Sequence, residues 1–324
     1  MRLLIIFLTL CCFWLTSSGW AAPAIVYTGK KEDGVYNQSL HEGVRAFQEK
    51  RGVKCLEIET PADGSTYIAT IQKCIAENYS PIILPYRGQF PELDTIVSEH
   101  PQTFFILLDA LNINRPNISA FVFAEHEASF LAGALAALMS RTKTIGFIYT
   151  SRQYQPLLRF RAGYIQGALA MNPKIKIMEK ELGNYPGVWR DTAKGRKMAA
   201  ELIAQGADVL FATAGFAGTG VLAQAAKGGI YAIGVDTNQN NLYPETMIGS
   251  LVKYTNKAVY IALSQTHFKK HTDRVTRLGL AQQAINIDFD GVRPEVLPTA
   301  VLQQINNLYS KILQGRIKIK DNWP

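Results

Sequence analysis

Cysteine and histidine are scarce in this chain: 324 residues carry four of the first and five of the second. Zinc centres draw most of their ligands from these two types, so no metal centre is expected. The only pair of histidines at helical spacing is His267 and His271. The residues between them lack the glutamate of a metalloprotease helix and include two lysines that would repel a cation. The G-x-S-x-G elbow of a serine hydrolase is missing too. Gly215, Gly218 and Gly220 stand in the wrong order for a G-x-G-x-x-G dinucleotide turn and come late in the chain. No cofactor and no catalytic constellation are therefore expected. Nor does the apolar run Leu3–Leu15 reach the about 20 residues that a membrane-spanning helix needs. With Arg2 before it and the small-x-small sequence Gly19-Trp20-Ala21 after it, this run reads as a signal peptide over residues 1–21, cleaved near Ala21. The mature chain is then expected to be periplasmic or otherwise extracytoplasmic. A lipid anchor at Cys11 or Cys12 is the alternative, and it would leave an unusually short leader.

Loss of the leader leaves Cys55 and Cys74. An even pair in an exported chain fits one disulfide, between the second strand and the helix after it; two buried thiols fit equally well. The net charge is +8. A basic balance often marks a nucleic-acid binder, but an exported chain rarely meets one, so the charge reads as a solvated surface and no nucleic-acid partner is expected. Apolar residues make up 48% and charged residues 19%, the balance of a folded chain long enough for two domains.

What is present is an alternation. Asp208–Asp236 reads as strand, glycine turn, helix and strand, ending on a carboxylate: a parallel βαβ unit. The rest repeats it. Short apolar strands are expected at Ala24–Thr28, Val53–Ile58, Pro81–Leu84, Thr103–Leu108 and Ile118–Phe123, then at Thr144–Tyr149, Lys174–Leu182 and Ile248–Leu251. Helices lie between them, including one over Arg190–Gln205 and a long alanine-rich one over Glu125–Ser140. Two late strands, Val275–Leu280 and Ala284–Phe289, precede a last helix at Thr299–Leu313. The tail after Gly315 is expected to be partly mobile. The fold class is α/β: two doubly wound, Rossmann-like lobes joined by a hinge. Lobe I takes residues 22–123 plus 252–280, and lobe II takes 124–251 plus 281–324.

In open α/β sheets, ligands sit past the carboxyl ends of the strands. That position selects Asp33, Tyr36 and Asn37 after the first strand, Arg87–Phe90 after the third and Asp109 after the fourth. In the second half it selects Tyr185, Trp189, Gly215 and Asp236, with Lys253 next to a crossing between lobes. Aromatic rings offer flat apolar faces, and carboxylates accept hydrogen bonds from hydroxyls or ring N–H groups. Together they suit a planar ring joined to a polyol. Each also has a plainer reading, since an aspartate at a strand end can cap the next helix and an aromatic can simply fill the core.

These segments also carry a resemblance. Asp33-Gly34-Val35-Tyr36-Asn37-Gln38, Gly133, Ile145-Gly146-Phe147-Ile148, Val188-Trp189-Arg190-Asp191, Gly206-Ala207-Asp208, Ala214-Gly215 with Gly218-Thr219-Gly220, Gly234-Val235-Asp236-Thr237-Asn238-Gln239 and Ser250-Leu251-Val252-Lys253 follow in order. In this the chain resembles the basic membrane protein family, the PnrA-like solute-binding proteins of ABC importers, from about Ile25 to Ile317. The resemblance implies a periplasmic-binding-protein fold of type I that closes on a solute, a purine nucleoside in well-known members. It implies a monomer that docks on a membrane permease driven by an ATPase. By position, Tyr36 and Trp189 would hold the base between them, Asn37 and Asp109 would face the base, and Asp236 and Lys253 would grip the sugar. Gly215 would let the backbone come close. The family usually has phenylalanine where Tyr36 and Trp189 stand. A sugar-like solute, or a sensing role toward a signalling partner, would leave the same cleft.

Overall fold

The computed structural model describes residues 21–85, 90, 92–110, 115–267 and 274–322. Residues 1–20 of the expected leader, Arg87, His271 and Trp323 lie outside them.

The first half of the chain runs β1 (Ala24–Thr28), α1 (Tyr36–Arg51), β2 (Leu56–Thr60), α2 (Tyr67–Ala76), β3 (Ile82–Pro85), α3 (Glu92–Glu99), β4 (Phe105–Leu108) and β5 (Ile118–Phe123). The second half runs α4 (Glu125–Met139), β6 (Thr144–Tyr149), α5 (Gln155–Met171), β7 (Lys176–Glu181), α6 (Thr192–Ala204), β8 (Val209–Thr213), α7 (Ala217–Lys227), β9 (Tyr231–Asp236) and β10 (Met247–Lys253). Then come α8 (Thr255–His267), β11 (Val275–Leu278), β12 (Ile285–Asp288) and α9 (Thr299–Leu313).

The strands form two six-stranded sheets, β2-β1-β3-β4-β5-β11 and β7-β6-β8-β9-β10-β12. Every ladder is parallel except β10 with β12. β3, β4, β5 and β8 are buried along their whole length, which is why they read as unbroken apolar runs. The two sheets have the same order, so β4 and β9 occupy equivalent places, as do β5 and β10. In each sheet the strand order reverses at the first strand, between β1 and β3 in one and between β6 and β8 in the other.

The chain passes from one sheet to the other three times: from β5 into α4, from β10 into α8, and between β11 and β12. α4 packs against α5 and α9 on the second sheet, and α8 packs against α1 on the first. α4 and α5 touch backbone to backbone. A methyl group added at Gly133 would run into the Tyr164 carbonyl, and one at Gly167 into the Phe130 carbonyl.

Two local expectations are revised, and the open choice for the cysteine pair is decided. Helix Arg190–Gln205 is a 3-10 turn, Val188–Arg190, followed by α6; the break falls at Asp191, whose side chain accepts from the Lys194 N–H and starts a new helix. Cys55 and Cys74 are free thiols. They belong to two separate core clusters, which hold alternate residues of β1, β3 and β4 and so lie on opposite faces of the first sheet. The tail is not loose up to Lys320: its N–H and C=O pair with the Gln166 side chain at 3.0 and 2.8 Å, and Ile317 and Ile319 pack on the core.

Candidate functional site

Loops at the carboxyl ends of both sheets enclose a cavity of about 390 Å3. Thr28, Asp33, Gly64 and Phe90 line it from the first lobe, in the loops after β1, β2 and β3. Tyr154, Asn184, Trp189 and Phe216 line it from the second, in the loops after β6, β7 and β8. These are the loops around the two points where strand order reverses, the crevice position of a doubly wound sheet.

Each lobe brings a backed aromatic ring to the cavity. Phe90 stacks on Tyr67, with centroids 4.9 Å apart and planes 29° apart. Trp189 leans on Tyr154 at 5.3 Å and 60°. Gly215, with φ of +56°, leaves room for the indole: a methyl group there would stand 3.2 Å from Trp189 Cε3. The Arg190 guanidinium lies 5.2 Å from the centre of the Phe216 ring, and the Tyr185 hydroxyl donates to Asp191 at 2.6 Å.

The other residues named from the sequence fall into two groups. Asp33 lines the cavity while its Oδ1 accepts from the N–H groups of Val35 and Gln38, 2.9 and 3.1 Å away, fixing the start of α1. Asn37 is buried and donates to the carbonyls of Thr28 and Lys30 at 3.1 and 2.9 Å, which pins the same loop from beneath. Tyr36, Asp109, Asp236 and Lys253 gather elsewhere. The Tyr36 side chain is buried and its hydroxyl donates to Asp109 Oδ2 at 2.7 Å. Trp189 lines the cavity and Tyr36 does not; the first-lobe ring on that surface is Phe90.

Lys253 ends β10 and is almost wholly buried. Its ammonium donates to Asp109 Oδ1 at 2.6 Å and to Glu125 Oε1 at 2.9 Å. The rings of Phe123 and Tyr36 flank it, 4.6 and 5.9 Å from Nζ. Burial alone would pull the Lys253 pKa down, but the carboxylates of Asp109, Glu125 and Asp236 together hold it above its ordinary value. Glu125, fully buried, shows the converse: desolvation pushes it up, and Lys253 and Arg159 bring it below the usual carboxylate range. Asp109 and Asp236 follow the same logic of position. Each closes the fourth strand of its lobe, and each has left-handed backbone, with φ of +65° and +67°. Aspartate tolerates that conformation better than bulkier residues, and non-glycine residues held there cluster at functional sites.

Strand-end position selects Tyr185, Trp189 and Phe90, and its loops Ser151–Gln155 and Ala214–Gly220 include Tyr154 and Phe216 without singling them out. Among the residues of those two loops, only their aromatic character marks Tyr154 and Phe216 out. Glu125 and Arg159 are not among the residues that strand-end position selects. A charged residue on a mostly apolar helix such as α5 has no local signature of its partner.

The profile of the family described as ABC transporter substrate-binding protein PnrA-like matches residues 22–323. The chain belongs to this family. PnrA-like proteins of this kind are substrate-binding proteins, so a small-molecule ligand, an ABC permease partner and an extracytoplasmic place follow from membership. Basic membrane protein C of Borreliella burgdorferi (strain N40) is 29% identical over 316 residues, covering 91% of this chain and 86% of the relative. The ABC transporter nucleoside-binding protein BmpA of Lactococcus lactis is 28% identical over 222 residues, 65% of this chain and 62% of the relative. Among solved structures, an ABC transporter solute-binding protein of Aeropyrum pernix K1 superposes with a TM-score of 0.79 at 20% identity, covering 94% of both chains. That likeness establishes the two-lobed fold. Among the described residues no helix is long and apolar enough to cross a membrane.

Proposed function

We propose that this PnrA-like protein binds a purine nucleoside between its lobes and hands it unchanged to an ABC permease. The observation that carries the reading is the pairing of two features in one interlobe region. One is a cavity of about 390 Å3 with an aromatic ring from each lobe, a size ordinary for small-molecule sites of roughly 300–1,000 Å3. The other is a charged cluster at the strand ends, in which the buried Lys253 meets the half-buried Asp109 and Asp236. Trp189 and Phe90 give a base two flat faces. Tyr36, hydrogen-bonded to Asp109, joins the loop that carries Asp33 into the cavity to the charged cluster, whose groups suit ribose hydroxyls. The nucleoside-binding relative from Lactococcus supports the same ligand class. The molecule works as a monomer, with no cofactor and no nucleic-acid partner.

Trp189 is its own reporter, because the mature chain left by the expected cleavage holds only Trp189 and Trp323. Titration with adenosine, guanosine or inosine should change tryptophan emission. Trp189→Ala should abolish the change and weaken binding by about 1–3 kcal/mol, the scale of one base–aromatic stack. A response to free sugars with none to any nucleoside would overturn the ligand and leave the fold.

A further inference from the structure

The charged cluster extends further than contact with a ligand requires. From Lys253 it runs both ways: through Asp109 to the Tyr36 hydroxyl on α1, and through Glu125 to Arg159 on α5, whose Nε donates to Glu125 Oε2 at 2.6 Å. Asp109 follows β4, an inner strand of the first sheet, and Arg159 belongs to a helix on the second sheet. Lys253 and Glu125 stand on two of the three crossings. Lys253, Glu125 and Arg159 are buried, Arg159 to about nine-tenths, while Asp109 is half-buried with its side chain turned inward; Nη2 of Arg159 has no hydrogen-bond partner among the described residues.

Such a row is a poor way to gain stability. Each buried ion costs several kcal/mol of desolvation, and well-packed apolar side chains often do as well or better. What the row does achieve is placement. An ammonium has three N–H donors; among the described residues Asp109 and Glu125 take two and leave one. Glu125 is held in its turn by Arg159, so it cannot follow the ammonium.

We propose that Glu125 and Arg159 are positioning residues for ligand recognition: they fix the Lys253 ammonium between the lobes so that its remaining N–H meets a ligand hydroxyl. The inference rests on the nucleoside reading of this site and assigns its discrimination between hydroxylated and dehydroxylated sugars to two residues that need not touch the ligand. Removing the Glu125 charge would take away one of these two hydrogen bonds and leave the ammonium to Asp109, with only the longer-range pull of Asp236 from the second sheet, so that it drifts from the shared point.

The test is calorimetric titration with adenosine, guanosine and inosine and with the 2′,3′-dideoxy form of whichever binds. The unaltered protein should prefer the hydroxylated ligand. Glu125→Gln should cut that preference by about tenfold, the scale of one hydrogen bond to a charged group, with little change for the dideoxy form. Arg159→Met should do the same, and Arg159→Lys should keep most of the preference; this pair carries the comparison if Glu125→Gln does not fold. Equal losses for both ligands, or an unchanged preference in Glu125→Gln and Arg159→Met, would overturn the proposal. If the unaltered protein binds no nucleoside, the ligand reading fails by itself, and positioning is then read without ligand. With nitrogen-15-labelled lysine, the Lys253 ammonium signal, assigned by its loss in Lys253→Met, should be protected from solvent exchange in the unaltered protein and in Arg159→Lys. It should lose protection in Glu125→Gln or Arg159→Met; protection that survives both changes would sink the idea.

Discussion

His126 follows Glu125 at the first crossing, and its environment is unlike that of its neighbour. Burial holds the imidazole below its ordinary pKa, against the opposing pull of Glu127, Glu125 and Asp321, and Nδ1 is buried with no hydrogen-bond partner among the described residues. The folded chain thus favours the neutral ring. The unfolded chain takes up a proton more readily as the pH drops below about 6.5, the value of a free histidine. The stability tied to a neutral His126 is therefore complete above that value and is lost as the pH falls from there toward the depressed pKa. Urea unfolding at pH 7 and pH 5 should show a drop in midpoint that is smaller in His126→Gln than in the unaltered protein. Equal drops would mean that the ring titrates alike folded and unfolded. Asp109 and Asp236 show how far single residues could be read from the chain. Their place at strand ends selected them, but their left-handed backbone has no signature in the sequence, and the ammonium that Asp109 holds comes from 144 residues further along the chain.

Elements were the most legible scale. Continuous apolar runs and glycine turns are set by neighbours in sequence, so the strands of both sheets and the last helix, α9 at Thr299–Leu313, could be placed from the chain alone. Boundaries that depend on side-chain hydrogen bonds could not, as the break at Asp191 shows. Whether two cysteines on neighbouring elements share one face of a sheet is a matter of register, which spacing does not reveal. The packing of α4 on α5 is likewise a property of the pair. Gly133, Gly163 and Gly167 each stand against a carbonyl of the facing helix. Gly167→Ala should cost about 1–3 kcal/mol, the range for overpacking a filled core, despite the better helix propensity of alanine. Chemical denaturation would measure it, and a neutral or stabilising change would show that the helices can draw apart. An alanine at Gly52, beside open space at the end of α1, should not meet such a wall, though its φ of +67° carries a cost of its own.

At the scale of the molecule, a ligand held by both lobes ties them together. A nucleoside that binds only the folded chain should raise its apparent stability by about 2.7 kcal/mol at a hundredfold excess over Kd. Small-angle scattering should show a smaller radius of gyration at the same point, because contacts made only when the lobes approach are what shift the population of closed molecules. Binding without any change in radius would place the ligand on one lobe. The two sheets also share a debt to the end of the chain. β11 completes the first and β12 the second, and both come from residues 275–288. Neither sheet can close its last ladder until this segment has been made. Such long-range pairing folds slowly, so both halves stay unfinished, each with an open strand edge, until that one short segment is in place.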